Sequence, residues 1–156
     1  MDRRRLSLNG SKQQVNLMSN ITPQLPRLNH LVPEEQMLAR RFMVLNPIGA
    51  VDWTFDLHLG HGMDPDPSWP SWLKSMAKSL TQRRVDLVGF VAGVPWIIEL
   101  KQRANIHAIG QLLVYQNLYV KQFPHDPPPQ LAIVCKYAGY DLYSVLEQFN
   151  IKVFYV

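Results

Sequence analysis

Arg84–Lys101, RVDLVGFVAGVPWIIELK, decides how the rest of the chain reads. Two strand-like runs, Arg84–Val91 and Val94–Gln102, flank Ala92-Gly93, and so short a break predicts a hairpin with a two-residue turn. Pairing Val91 with Val94 and counting back along both strands sets Asp86 directly opposite Glu99. Opposed residues of an antiparallel pair share a face, with Cβ atoms roughly 5 Å apart. Glu99 and Lys101, two apart on one strand, share that face as well. The hairpin therefore gathers two carboxylates and one ammonium. Facing like charges destabilise a ladder unless something compensates them. Hard oxygen donors with few other protein ligands suit a divalent cation, Mg²⁺ or Mn²⁺.

Asp86, then Glu99-x-Lys101 on the next strand, then Gln111-x-x-x-Tyr115 on the helix that follows, together resemble the PD-(D/E)xK nuclease superfamily, in its RecB-like branch. Val85 stands where the family usually has a proline before the first Asp. The resemblance implies a Mg²⁺-dependent (or Mn²⁺-dependent) deoxyribonuclease that hydrolyses phosphodiester bonds, with DNA as its partner. It implies Asp86, Glu99 and the backbone carbonyl of Leu100 as metal ligands, and Lys101 as the group that orients or activates water. In the family, Gln and Tyr at the places of Gln111 and Tyr115 sit beside the metal and hold the lysine or the DNA. Members often carry a metal-linked Glu in the first helix. Glu34 is the candidate here, and His30 a further one, although Pro33 between them interrupts a single helix.

From the residues alone, Gln111 and Tyr115 share one helical face and fit the polar edge of a packing helix equally well. His107 extends that stripe by a turn, first as an edge residue and then as a DNA contact. Asp52 and Asp56 read as the wet face of a strand. His58, His61, Asp64 and Asp66 read as strand and loop residues, since no further ligands arrive at zinc-like spacing.

The element order supports the resemblance. A helix is expected from Pro33, a residue favoured at a first helical position, with Leu38, Phe42 and Leu45 as its apolar stripe. Val51–Leu59 alternates as a strand, 60–68 is a Gly/Pro/Asp loop, and Pro70–Leu80 is a short helix. The stripe Trp69, Trp72, Leu73, Met76 and Leu80 on that helix is expected to pack. After the hairpin come a helix at about Asn105–Phe123, a Pro-rich turn, strand Gln130–Lys136, helix Asp141–Gln148 and strand Ile151–Val156. The expected fold is α/β: a restriction-endonuclease-like αβββαβ core, its mixed sheet flanked by helices, with a helical insertion and an added C-terminal αβ pair.

Composition and charge set the remaining bounds. The chain has 156 residues, 47% of them hydrophobic and 18% charged, enough for one domain with a single sizeable core. No apolar run approaches the ~20 residues that span a bilayer, and the N-terminal arginines precede no apolar segment of a secretory signal. The lone cysteine, Cys135, sits in an apolar run, which suits an inert buried thiol and a cytoplasmic setting and rules out a four-cysteine iron–sulfur site. Residues 1–32 carry five Lys/Arg against one Asp, whereas 33–156 carry eleven of each sign. The excess charge thus belongs to a polar N-terminal arm, 1–32, ahead of a nuclease-like domain, 33–156. Arg83, Arg84 and Arg103 cluster in sequence around the hairpin and, with His107, are candidate DNA contacts. Two readings stay open. One is the metal-dependent nuclease; the other is a phage or mobile-element assembly or DNA-processing component that keeps the nuclease fold. In the second, the arm docks a protein partner or a second copy, and the chain works in a host cytoplasm or a virion.

Overall fold

The computed structural model describes residues 31–156. The elements are α1 (Pro33–Leu45), β1 (Asp52–Leu59), α2 (Ser71–Thr81), β2 (Arg83–Val91), β3 (Val94–Ala104), α3 (Ile106–Gln122), β4 (Gln130–Ala138), a 3₁₀ turn at Tyr140–Leu142 leading into α4 (Tyr143–Gln148), and β5 (Ile151–Tyr155). The five strands form one sheet in the order β1-β2-β3-β4-β5. The first two pairings are antiparallel; β3–β4 and β4–β5 are parallel, each reached by a crossover through a helix. This is the expected mixed sheet, with α2 as the insertion and α4–β5 as the added pair.

The hairpin turns at Ala92-Gly93, where both residues have positive φ, 48° and 80°. That is the backbone of a type I′ turn, whose twist matches the twist of the flanking strands. Gly93 adopts it freely, and Ala92 does so at some cost. The register that follows, Val91↔Val94 through Leu87↔Ile98, is the one the two-residue loop dictates.

The sheet is covered on both faces. On one side α1 buries Leu38, Ala39, Phe42 and Met43 against Leu87, Ile98, Leu100, Ala132 and Val134. Phe42 is fully buried, its ring centroid 5.9 Å from that of Trp53 and 5.2 Å from that of Phe154. On the other side α3 and α4 bury Ile109, Leu112, Tyr115 and Leu146 against Val85, Val88, Ile97, Leu131, Ile133 and Cys135. Asn105 caps α3, its side-chain oxygen accepting the Ala108 N–H at 3.0 Å. The middles of β3 and β4, Ile97–Leu100 and Leu131–Cys135, are buried on both faces between the helix layers, and in β4 that stretch reads as a continuous apolar run.

Two details differ from expectation. β1 does not keep one apolar face. Trp53 and Phe55 pack on the α1 side, whereas Leu57 and Leu59 pack on the α3 side. The switch falls at Asp56, whose φ of +50° breaks the extended alternation. The paired strand switches with it, since Leu87 faces α1 and Val85 faces α3. The stripe expected to pack on α2 is instead largely bare: no residue of α2 is buried, and Trp72, Met76 and Leu80 are exposed. The helical period is there in the sequence, but none of the described residues forms a second layer over it.

Candidate active site

Asp86 lies where β2 changes face, between Val85 and Leu87. The β2–β3 ladder ends at Leu87↔Ile98, and one step further the Asp86 carboxylate takes over, Oδ2 accepting the Leu100 N–H at 2.9 Å. A side chain thus replaces a rung, tying Asp86 to the strand that carries Glu99 and Lys101. Glu99 is held rigidly by the parallel pairing of β3 with β4, Glu99↔Ile133, and is 1% exposed. Its Oε1 is 2.8 Å from the Lys101 Nζ, while Oε2 has no hydrogen-bond partner among the described residues.

A second carboxylate reaches the lysine from α1: Glu35 Oε1 lies 3.5 Å from Lys101 Nζ. Glu35, not Glu34, is the acid that α1 presents here; Glu34 is exposed. The reason is the phase of the helix. Ala39 is buried and Leu45 is exposed, so the apolar stripe runs 38, 39, 42 rather than 38, 42, 45. Glu35 is one turn before Ala39 and continues that stripe. In the sequence the phase rests on Ala39, a small residue that adds little to a hydrophobic pattern. His30 lies outside the described residues.

The electrostatics follow from this packing. Burial first, and the Asp86 carboxylate second, push the Glu99 carboxyl up to about 7 against the pull of Lys101. Burial opposes the Lys101 ammonium, but the bond and charge of Glu99, with Asp86 and Glu35, outweigh it and raise its pKa above the ordinary lysine value. Lys101 is therefore firmly protonated at neutral pH. On α3, Gln111 Nε2 donates to the Tyr115 hydroxyl at 3.0 Å. Burial, then the negative charge of Glu99, raises Tyr115 to about 12, so it is a neutral phenol within electrostatic reach of the carboxylates.

Gln111 and Tyr115 line a cleft of about 390 Å³ together with Arg83, His107, Gly110, Ile106 and Val114. Of the candidate DNA contacts, Arg83 and His107 thus share one cleft with Gln111 and Tyr115. Arg84 turns instead to Asp56, Nη1 to Oδ2 3.6 Å, and Arg103 lies over the Tyr137 ring.

Among the described residues no group of three or more His, Cys, Asp or Glu side chains converges on one point. The donors that do come together, two facing carboxylates and the adjacent backbone, are hard oxygens in a small number. Mg²⁺ suits such a set, because it keeps several waters and takes one or two carboxylates from a protein. The buried, unbonded Glu99 Oε2 is the atom that such an ion would satisfy.

Comparison with known proteins supports the fold. No protein-family model matches the chain, and no curated protein matches it. A solved structure of a repair endonuclease from Pyrococcus abyssi superposes with a TM-score of 0.50 at 16% identity, over 81% of this chain and 47% of that one. The chain therefore spans about half the length of that endonuclease. A second solved structure, of a protein of unknown function, aligns at a TM-score of 0.47 and 13% identity, over 76% of this chain and 56% of its own. The five-stranded mixed sheet, flanked by helices and shared with an endonuclease, is a restriction-endonuclease-like core. Among the described residues no helix is long and apolar enough to cross a membrane.

Proposed function

We propose that this chain is a metal-dependent DNA nuclease of the PD-(D/E)xK type, related to its RecB-like branch. The observation that carries the reading is the buried Glu99, set beside Asp86 and held 2.8 Å from Lys101. A carboxylate pair with its ammonium is costly to bury for structure alone. The fold shared with a repair endonuclease supports the same reading.

Asp86, Glu99 and the Leu100 carbonyl would hold Mg²⁺ or Mn²⁺, which when bound supplies charge neutralisation at the phosphate and acidifies a water. Glu99 must then be ionised. Its carboxyl at about 7 gives up a proton on loading, and metal affinity rises with pH through that range. Lys101, kept charged by Glu99 and Glu35, donates to the attacking water or to a phosphate oxygen. Gln111 already donates to the Tyr115 oxygen, which leaves the phenol proton free to be donated to a phosphate at the cleft. Arg83 and His107 border that cleft and supply contacts to the backbone of the strand.

The test is incubation of the purified protein with linear, circular and single-stranded DNA in Mg²⁺, Mn²⁺ or EDTA. Cleavage is expected with metal only, and Asp86→Asn, Glu99→Gln and Lys101→Ala should each abolish it while circular dichroism shows an intact fold. Full cleavage by the Glu99→Gln protein would refute the assignment.

A further inference from the structure

Two residues beyond Lys101 on β3 stands Arg103. Its guanidinium lies 4.8 Å from the centroid of the Tyr137 ring, and Tyr137 is its register partner on β4. Just past the end of β4, Tyr140 is 89% exposed, and its ring centroid is 5.8 Å from that of Tyr143. The Tyr143 and Tyr155 hydroxyls are in turn 2.9 Å apart. Tyr137, Tyr143 and Tyr155 are also exposed, so the linked trio Tyr140–Tyr143–Tyr155 and the Arg103–Tyr137 pair both face solvent, with Tyr137 within electrostatic reach of the Tyr155 hydroxyl. Single exposed aromatic residues are ordinary, but a linked group of them marks a binding surface. Packing does not require it, since Tyr140 buries almost none of its ring.

We propose that Arg103, Tyr137, Tyr140, Tyr143 and Tyr155 form a ledge on which unpaired bases of a nucleic-acid strand stack. The substrate would then be single-stranded, or would carry a single-stranded segment that runs from the Glu99–Lys101 site onto the ledge. The choice of nucleic acid as occupant rests on the nuclease reading above. Three observations select bases over a protein surface. The ledge continues the strand that carries Glu99 and Lys101, beginning two residues past the lysine. A guanidinium is fixed on the first ring, where it adds positive charge for the backbone of the same strand. The exposed side chains are rings with polar edges, not aliphatic groups, and rings are what bases stack on regardless of sequence. Duplex bases are already stacked and offer the ledge nothing.

The experiment measures binding in EDTA, where cleavage is silent. Fluorescence anisotropy is read with a labelled oligothymidylate of about 15 nucleotides, with an abasic strand of the same length and charge, and with a duplex. Wild-type protein should bind the oligothymidylate at least about fivefold more tightly than the abasic strand, the smallest effect expected from losing one stacked base. Tyr140→Ala should erase that preference, and Tyr140→Phe, which keeps the ring, should retain it. Equal affinity for the two single strands, or an unchanged preference in Tyr140→Ala, overturns the ledge. So does a wild-type protein that sediments as a dimer which Tyr140→Ala dissociates while base preference stays the same, for the patch would then be a contact between copies. The two readings fail separately. Metal-dependent cleavage with no base preference leaves the nuclease and removes the ledge; base stacking through Tyr140 without cleavage does the reverse.

Discussion

Glu99→Gln is the perturbation that most directly tests the electrostatics of the site, because it needs no substrate. In the folded protein the Glu99 carboxyl titrates at about 7 in place of its ordinary 4.5. The native state therefore holds this proton more tightly than the unfolded chain does. Between those two values the folded state binds more protons, so stability falls as pH rises through the window and levels off above it. At 1.36 kcal/mol per pKa unit the displacement corresponds to about 3 kcal/mol. Glu99 is 1% exposed, so solvent does little to screen it. Glutamine keeps the shape and cannot ionise, and Lys101 keeps Glu35 at 3.5 Å. The assay is urea unfolding in EDTA at intervals from pH 5 to pH 8, followed by tryptophan fluorescence, for wild type and variant. Taking the difference between the two proteins removes the other titrating groups they share. Wild type should lose about 3 kcal/mol relative to Glu99→Gln across the window. Saturating Mg²⁺ should flatten the difference, since the ion favours the carboxylate. A difference that is flat with pH, or that rises, refutes the claim that burial and Asp86 hold the proton on Glu99.

Other predictions bear on separate parts of the molecule. Mg²⁺ in large excess over its Kd should stabilise the wild-type fold by on the order of 1–3 kcal/mol, and calorimetry should show no such effect in Asp86→Asn. Ala92→Asn should raise stability by about 0.5–1 kcal/mol, because Ala92 holds a φ of +48° that asparagine tolerates better; an unchanged urea midpoint would count against a type I′ turn. Phe42→Ala should cost about 3–5 kcal/mol, since it empties a fully buried ring position between Trp53 and Phe154. Deleting residues 1–28 separates two roles for the arm. A tether should flatten the salt dependence of DNA binding by up to about 0.9 log unit per lost phosphate contact, whereas a docking strand leaves the slope alone and abolishes assembly.

What could be read from the chain depended on whether the information was local. The hairpin was legible because Ala92-Gly93 fixes its register as far as Leu87↔Ile98, and the bond from the Leu100 N–H to the Asp86 carboxylate then keeps Asp86 at the strand that carries Glu99. The two-sided burial of β4 was legible from its unbroken apolar run. The phase of α1 was not, since Ala39 contributes almost nothing to a hydrophobic pattern yet lies fully buried and aims Glu35 at Lys101. The bare stripe on α2 was not legible either. An amphipathic period shows that a helix has an apolar face and says nothing of what covers it. The tyrosine ledge eluded the sequence for a third reason: the parallel β3–β4–β5 pairing sets Arg103 against Tyr137 and Tyr155 against Cys135, contacts of high sequence separation.

The places where the sequence rules fail also fall together. β1 leaves its alternation at Asp56, with a φ of +50° that a non-glycine residue seldom adopts. β2 changes face alongside it, and at Asp86 a side chain replaces a ladder rung. One strand further, Glu99 is buried with a carboxyl oxygen that no described residue bonds. Each of these departures costs stability: a left-handed backbone, an interrupted ladder, a desolvated acid. An optimally stable sheet would have a β-branched residue at each of the three positions. Asp86 and Glu99, two of these three, also reinforce the charge of Lys101, and departures that fall together on adjacent strands at a cost in stability support the proposed site.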